Sequence, residues 1–184
     1  VHHAILPETA AVRPDPAALL DTAVPIDGAQ GLQTLAPADM VLHSAVHLIY
    51  GEFDHGVRDL VDLHRLLSHF GTDPAFWPQL VKRSRQLELG RPLFYVLRQS
   101  VLLLGTPVPE QVLLDSADHA PGPALLRGMD FLFGRALRPD HPSCRLPGTR
   151  LARFALYLRA NWLRMPLPLL ARHLAHKALI GPEA

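Results

Sequence analysis

The chain has 184 residues, enough for one medium domain or for part of a larger enzyme. With 48% hydrophobic and 19% charged residues it can bury a sizeable core, which excludes wholesale disorder. The formal charge of +1 conceals a split: the first 140 residues hold 11 of the 18 Lys/Arg but 16 of the 17 Asp/Glu, leaving a strongly basic C-terminal part.

Val1 to Leu6, VHHAIL, ends at Pro7 and is predicted as a short strand with His2 and His3 on opposite faces. Asp15-Pro16 opens a short helix over Ala17 to Thr22, Asp capping and Pro taking the first helical position. Gly28, Gly31 and the run GLQTL predict a turn and a second short strand within Ile26 to Leu35. From Pro37 onward every segment reads as helix. The first runs to about Tyr50, largely buried, with Gly51 as its stop. The second spans about His55 to Phe70, with Val57, Leu60, Val61 and Leu67 on its apolar stripe. Helices follow from Asp73-Pro74 to near Leu89, over Arg91 to Leu104 with Gly105 as the stop, and through Asp118. The last three are Pro123 to Leu137, Thr149 to Leu163 and Pro166 to Ile180. The fold class expected is mainly α, a helical bundle with a small N-terminal β element. It divides into 1–36, a helical domain 37–137 and a basic helical pair 138–184.

His43 and His47 lie one turn apart on one helix face, the spacing that zinc proteases use for two ligands. The catalytic version needs a glutamate directly after the first histidine, and Ser44 stands there, so the general base is missing. Two buried histidines satisfied by backbone or carboxylate partners are the commoner outcome. His55, Asp59 and Asp62 add ligand types suited to a metal-dependent hydrolase, but the adjacent pair is Asp54-His55, the reverse of the order that class uses. For Asp62 the plainer expectation is an in-helix ion pair with Arg58 or Arg65. Cys144 is the only cysteine, so no intrachain disulfide forms, in keeping with a reducing compartment. Walker-type, GxGxxG, GxSxG and CxxC motifs are absent. The basic C-terminal run, with Arg150, Arg153, Arg159, Arg164, Arg172 and Lys177 beside Phe154, Tyr157 and Trp162, suits an anionic membrane or nucleic acid. Docking on the acidic remainder is the stronger reading, because its polar face carries too few cations for a polybasic anchor.

VHHAILP, LLDTAVPIDG, LQTLAPADMVLHSAVHLIYGEF, VRDLVDLHRLL and LGTPVP, in that order, resemble the bacterial family of uncharacterised nucleotidyltransferases, relatives of the polymerase-β-like fold. Leu35-Ala36-Pro37-Ala38-Asp39, His47-Leu48, Asp62-Leu63 and Gly105-Thr106-Pro107 fall on the family's pattern, over about Val1 to Pro109. LRANWLRMPLPLL looks like the same family's tail. The resemblance implies transfer of a nucleotidyl group from an NTP to an acceptor. It implies a Gly-Ser-type turn, two acids on one strand and a third on a later strand, which hold two Mg²⁺ ions.

No acid precedes His2 on the first strand, and the chain opens with Val1 rather than Met. The expectation is therefore the C-terminal helical portion of such a protein, its catalytic carboxylates missing, inactive alone and holding no Mg²⁺ itself. NTP and acceptor would be met through the missing N-terminal part. His3, His47 and Asp62 are the candidates for lining the cleft, with Arg58 as a phosphate contact. Two alternatives stand beside it: a non-catalytic helical module that binds a protein partner or a second copy, and a metal-dependent hydrolase using His43, His47, His55, Asp59 and Asp62. With no signal peptide and no apolar run of about 18 residues, the location expected is cytoplasmic.

Overall fold

The computed structural model describes residues 5–51, 53 and 55–180. The expected strand over Val1 to Leu6, with His2 and His3, lies outside these residues except for Ile5 and Leu6, which form a bend. Leu6 and Ala10 are buried in the core. Helix α1, Pro16–Leu20, starts as its residues dictate: Asp15 Oδ1 accepts from the Ala17 N–H at 2.9 Å, and Pro16 occupies the first turn. The β element is one antiparallel pair, β1 (Val24–Pro25) with β2 (Gln33–Thr34), in the register Val24 opposite Thr34 and Pro25 opposite Gln33. Between them Gly28 and Gly31 take φ +76° and +80°, values that other residues rarely adopt.

The helical body begins with α2 (Pro37–Tyr50) and α3 (Gly56–Phe70), which pack on each other. Val41, Leu42, Ala45, Val46, Leu48 and Ile49 are buried, whereas His43 and His47 face solvent. The two histidines thus occupy the one polar strip of α2 and are not core residues. On α3 the buried stripe is Leu60, Leu63 and Leu67, with Val57 and Val61 only half-buried at its margin. The sequence pattern had placed Val61 where Leu63 does the packing.

Helix α4 (Phe76–Gln86) follows a turn in which Asp73 Oδ1 accepts from Ala75 N–H at 2.9 Å. Helix α5 (Gly90–Leu104) is the centre of the bundle, touching α2, α3, α4, α6 (Glu110–Ser116) and α7 (Pro123–Ala136). It is buried along Pro92 to Leu97, as a helix surrounded by others must be. Its end is fixed by Gly105 at φ +63° and ψ +30°, whose N–H reaches Val101 O at 3.0 Å, while Thr106 N–H reaches Ser100 O at 3.2 Å.

Helix α8 (Thr149–Arg164) packs on α7 and α2, and Leu156 joins the same hydrophobic core. Two of its arginines reach the last carbonyls of α2: Arg159 Nη1 donates to Ile49 O at 3.5 Å and Arg164 Nη1 to Tyr50 O at 3.4 Å. Cations at a helix C-terminus meet its unpaired carbonyls and the negative end of its dipole. The N-terminal segment meets the C-terminal end of α8, Thr9 Oγ1 donating to Arg164 O at 2.7 Å and Ala11 N–H to Leu163 O at 3.0 Å. Helix α9 (Leu167–Ile180) is the outermost, tied through Tyr157 Oη and His173 Nε2 at 3.0 Å. No helix among the described residues is long and apolar enough to cross a membrane.

Candidate functional site

Most of the side chains singled out by the sequence gather around the start of α3. His47 on α2 and Asp59 in the first turn of α3 meet, Nδ1 to Oδ2 at 3.2 Å, with His47 largely in solvent. A carboxylate can only accept, so the His47 Nδ1–H is the donor of this pair. One turn back, His43 titrates below its ordinary value, mainly through desolvation of its ring and secondarily through the neighbouring His47. Its outer edge remains exposed.

Arg58 and Asp62 lie further along the outer face of α3. Asp62 stands between two arginines, 3.9 Å from Arg58 Nε and 3.8 Å from Arg65 Nη1, with about half of its side chain in solvent. These are long, exposed, in-helix pairs. His55 precedes α3 without capping it through its side chain. His3 lies outside the described residues. The structure thus joins His47 to Asp59, and Arg58 to Asp62. His43, His47, His55 and Asp59 do not converge: among the described residues no three His, Cys, Asp or Glu side chains could hold a metal ion.

Beside the first turn of α3 opens a cavity of about 340 Å³, walled by Phe53 and Ala136 and by the polar groups of His55, Arg58, Arg138, Asp140 and Arg153. Asp140 is claimed by two cations, Arg145 at 3.0 Å and Arg153 at 3.3 Å. The hydrogen bond and charge of Arg145, then the charge of Arg153, hold its carboxyl below the ordinary aspartate value.

Two polar junctions escaped the sequence reading. Asp39, in the first turn of α2, is 1% exposed and accepts from Arg83 Nε at 2.7 Å, Arg83 Nη2 at 3.0 Å and Thr22 Oγ1 at 2.6 Å. Arg83 Nη2 also donates to Ala18 O, so one guanidinium ties α1, α2 and α4 together. The signal was available: Asp39 shares a helix face with Leu42, Val46 and Ile49, and an acid on a buried stripe requires a cation. The second junction joins His64 Nδ1 to Thr106 Oγ1 at 2.9 Å. Thr106 gives its only hydroxyl proton to Ser100 O at 3.0 Å, so His64 is the donor and carries its proton on Nδ1. The arginines of the C-terminal part that wall the cavity, Arg138 and Arg153, were also not placed near Arg58 by any local pattern.

The sequence model of an uncharacterised nucleotidyltransferase family matches residues 1–105, more than half of the chain. The chain belongs to that family. Curated proteins and solved structures yield no match. Of the positions that carry this nucleotidyltransferase resemblance, Asp39 and Thr106 are buried joints between helices, whereas His47 and Asp62 look outward. The β pair holds Val24, Pro25, Gln33 and Thr34, so no carboxylate stands on the described strands.

Proposed function

We propose that this chain forms the helical body of a nucleotidyltransferase-type protein that moves a nucleotidyl group from an NTP to an acceptor. The carboxylates that hold Mg²⁺ are supplied from outside the described residues, and the start of α3, with His47, Arg58 and Asp62, faces the substrate side. The observation that carries this reading is the family match over residues 1–105. What the helices contribute is position: the Asp39–Arg83 tie holds α1 and α4 to α2, and the Thr106 joint fixes α5 against α3. Rigid placement of groups around a transferring phosphoryl is most of what such catalysis needs from protein. The test is NTP turnover with Mg²⁺ by these 184 residues beside the natural gene product that contains them. Turnover confined to the latter supports the reading; robust turnover by the chain alone refutes it.

A second reading is favoured by one feature. The outer face of α8 leaves Leu151 70%, Phe154 54% and Trp162 58% exposed. An apolar stripe of that kind suits association with a protein surface or a second copy. Sedimentation of the purified chain addresses it: a concentration-dependent dimer broken by Trp162→Ser supports a module for association, and a monomer at every concentration removes the self-association form.

A further inference from the structure

We infer that the cavity at the start of α3 is a binding site for a phosphate-bearing anion, held by Arg58, Arg138 and Arg153. This goes beyond nucleotidyl transfer and does not depend on it, since none of the family's expected acids takes part.

Three guanidinium groups from three separate elements wall this space: α3, the segment after α7, and α8. Against them, among the described residues of the wall, stands one carboxylate, Asp140, already shared with Arg145 outside the wall. Among the described residues Arg58 finds only the distant, exposed Asp62 at 3.9 Å, and Arg138 donates to a carbonyl, Gly134 O at 3.0 Å. Among the described residues of the wall, three arginines therefore stand against one aspartate. Arg153 adds a second sign: its Nε is buried and has no hydrogen-bond partner among the described residues, although its Nη1 and Nη2 are engaged. A buried donor left open costs free energy that an incoming oxygen would recover. The first turn of α3, with Gly56 and Val57 in the wall, adds the positive end of a helix dipole.

The charge selects the ligand class. A phosphate group brings up to two negative charges and oxygens on several sides, so guanidinium groups approaching from three directions can each find one. A lone carboxylate offers one charge and two oxygens in a plane. A cleft of one sign also concentrates counter-ions before any specific contact is made. At about 340 Å³ the cavity lies near the lower end of the range of roughly 300–1,000 Å³ typical of small-molecule sites. That room exceeds what one phosphate needs and suits a diphosphate or the phosphate end of a larger molecule.

The test is calorimetric titration of the purified chain with inorganic phosphate, pyrophosphate and ATP without metal, each against potassium chloride of equal ionic strength. Pyrophosphate is expected to bind and to raise the thermal midpoint. Arg58→Ala and Arg138→Gln, both on exposed side chains, should each weaken it about tenfold or more. Arg65→Ala, on the same helix but outside the wall, should leave binding unchanged and so controls for general loss of positive charge. ATP binding no tighter than pyrophosphate identifies a free phosphate ligand, and tighter ATP binding identifies a nucleotide; either upholds the site. Binding of none of the three, or equal weakening by Arg65→Ala, overturns it.

Discussion

Asp39 and Arg83 face each other in a two-pronged ion pair, Nε to Oδ1 at 2.7 Å and Nη2 to Oδ2 at 3.0 Å, with Asp39 almost wholly removed from water. The fork geometry, the Thr22 hydroxyl and the Ala18 carbonyl satisfy both charges at once. Removing one member leaves the other charged and buried, a change that costs about 3–5 kcal/mol. Asp39→Ala should therefore lower the urea unfolding free energy by about that amount. Arg83→Lys, which keeps the charge but loses the fork, should cost less than Asp39→Ala. A loss below about 1 kcal/mol for Asp39→Ala would show that the pair does not hold α1 and α4 to α2.

The joint between His64 and Thr106 makes a second prediction. Thr106→Val keeps the shape but strands His64 Nδ1–H, while Ser100 O loses the hydroxyl and keeps the Thr106 N–H, so it should cost about 1–3 kcal/mol. Gly105→Ala forces an L side chain into φ +63° and should cost about 1 kcal/mol or more. Thermal denaturation of the two variants reads both; unchanged midpoints would contradict the geometry at this corner.

Asp62 and His47 should behave as surface residues in stability measurements. Asp62→Ala removes two long in-helix contacts and should change unfolding free energy by no more than about 0.5 kcal/mol. His47→Ala breaks an exposed pair, for which about 0.2–1 kcal/mol is usual. Losses well above these values in chemical denaturation would mean that the residues are structural and not free to face a substrate.

Acid should weaken the fold through His43. Its folded pKa lies below the ordinary value, first by desolvation and then by His47, so the unfolded chain takes up the proton first as the pH falls. The folded state is undisturbed by this group above about pH 6.5. It loses stability as the pH drops through that value and on through the lower folded pKa. Thermal midpoints at about pH 7.5 and about pH 5 should differ less for His43→Gln than for the natural chain. An equal difference in both would assign the acid sensitivity elsewhere.

Much of the fold was readable because its signals are local. Asp15-Pro16 and Pro37 at helix starts, Gly105 at a helix end and Leu60 with Leu67 on one stripe each act within a few residues. The buried position of Leu63 in place of Val61 was legible too: Leu60, Leu63 and Leu67 keep the i, i+3, i+7 spacing of one helix face, and Val61 falls at its margin. The candidate site was legible only along α2 and α3, where His47, Arg58, Asp59 and Asp62 are close in sequence. Their exposure was not: the apolar content of α2 argued for buried histidines, whereas its one polar strip turns both to solvent. Arg83 lies 44 residues from Asp39, and Arg153 reaches the Arg58 cavity from the far end of the chain. Such partners follow from how helices pack, and a single sequence gives no direct sign of them.

The most direct measurement is pyrophosphate release from NTPs in the presence of Mg²⁺, compared between the 184 residues and the natural gene product that contains them. A helical body that borrows its metal-holding acids should release none by itself, while the natural product releases pyrophosphate in step with nucleotidyl transfer. Vigorous Mg²⁺-dependent release by the 184 residues alone, lost with His47→Ala or Asp62→Ala, would place the chemistry within this chain and contradict the reading.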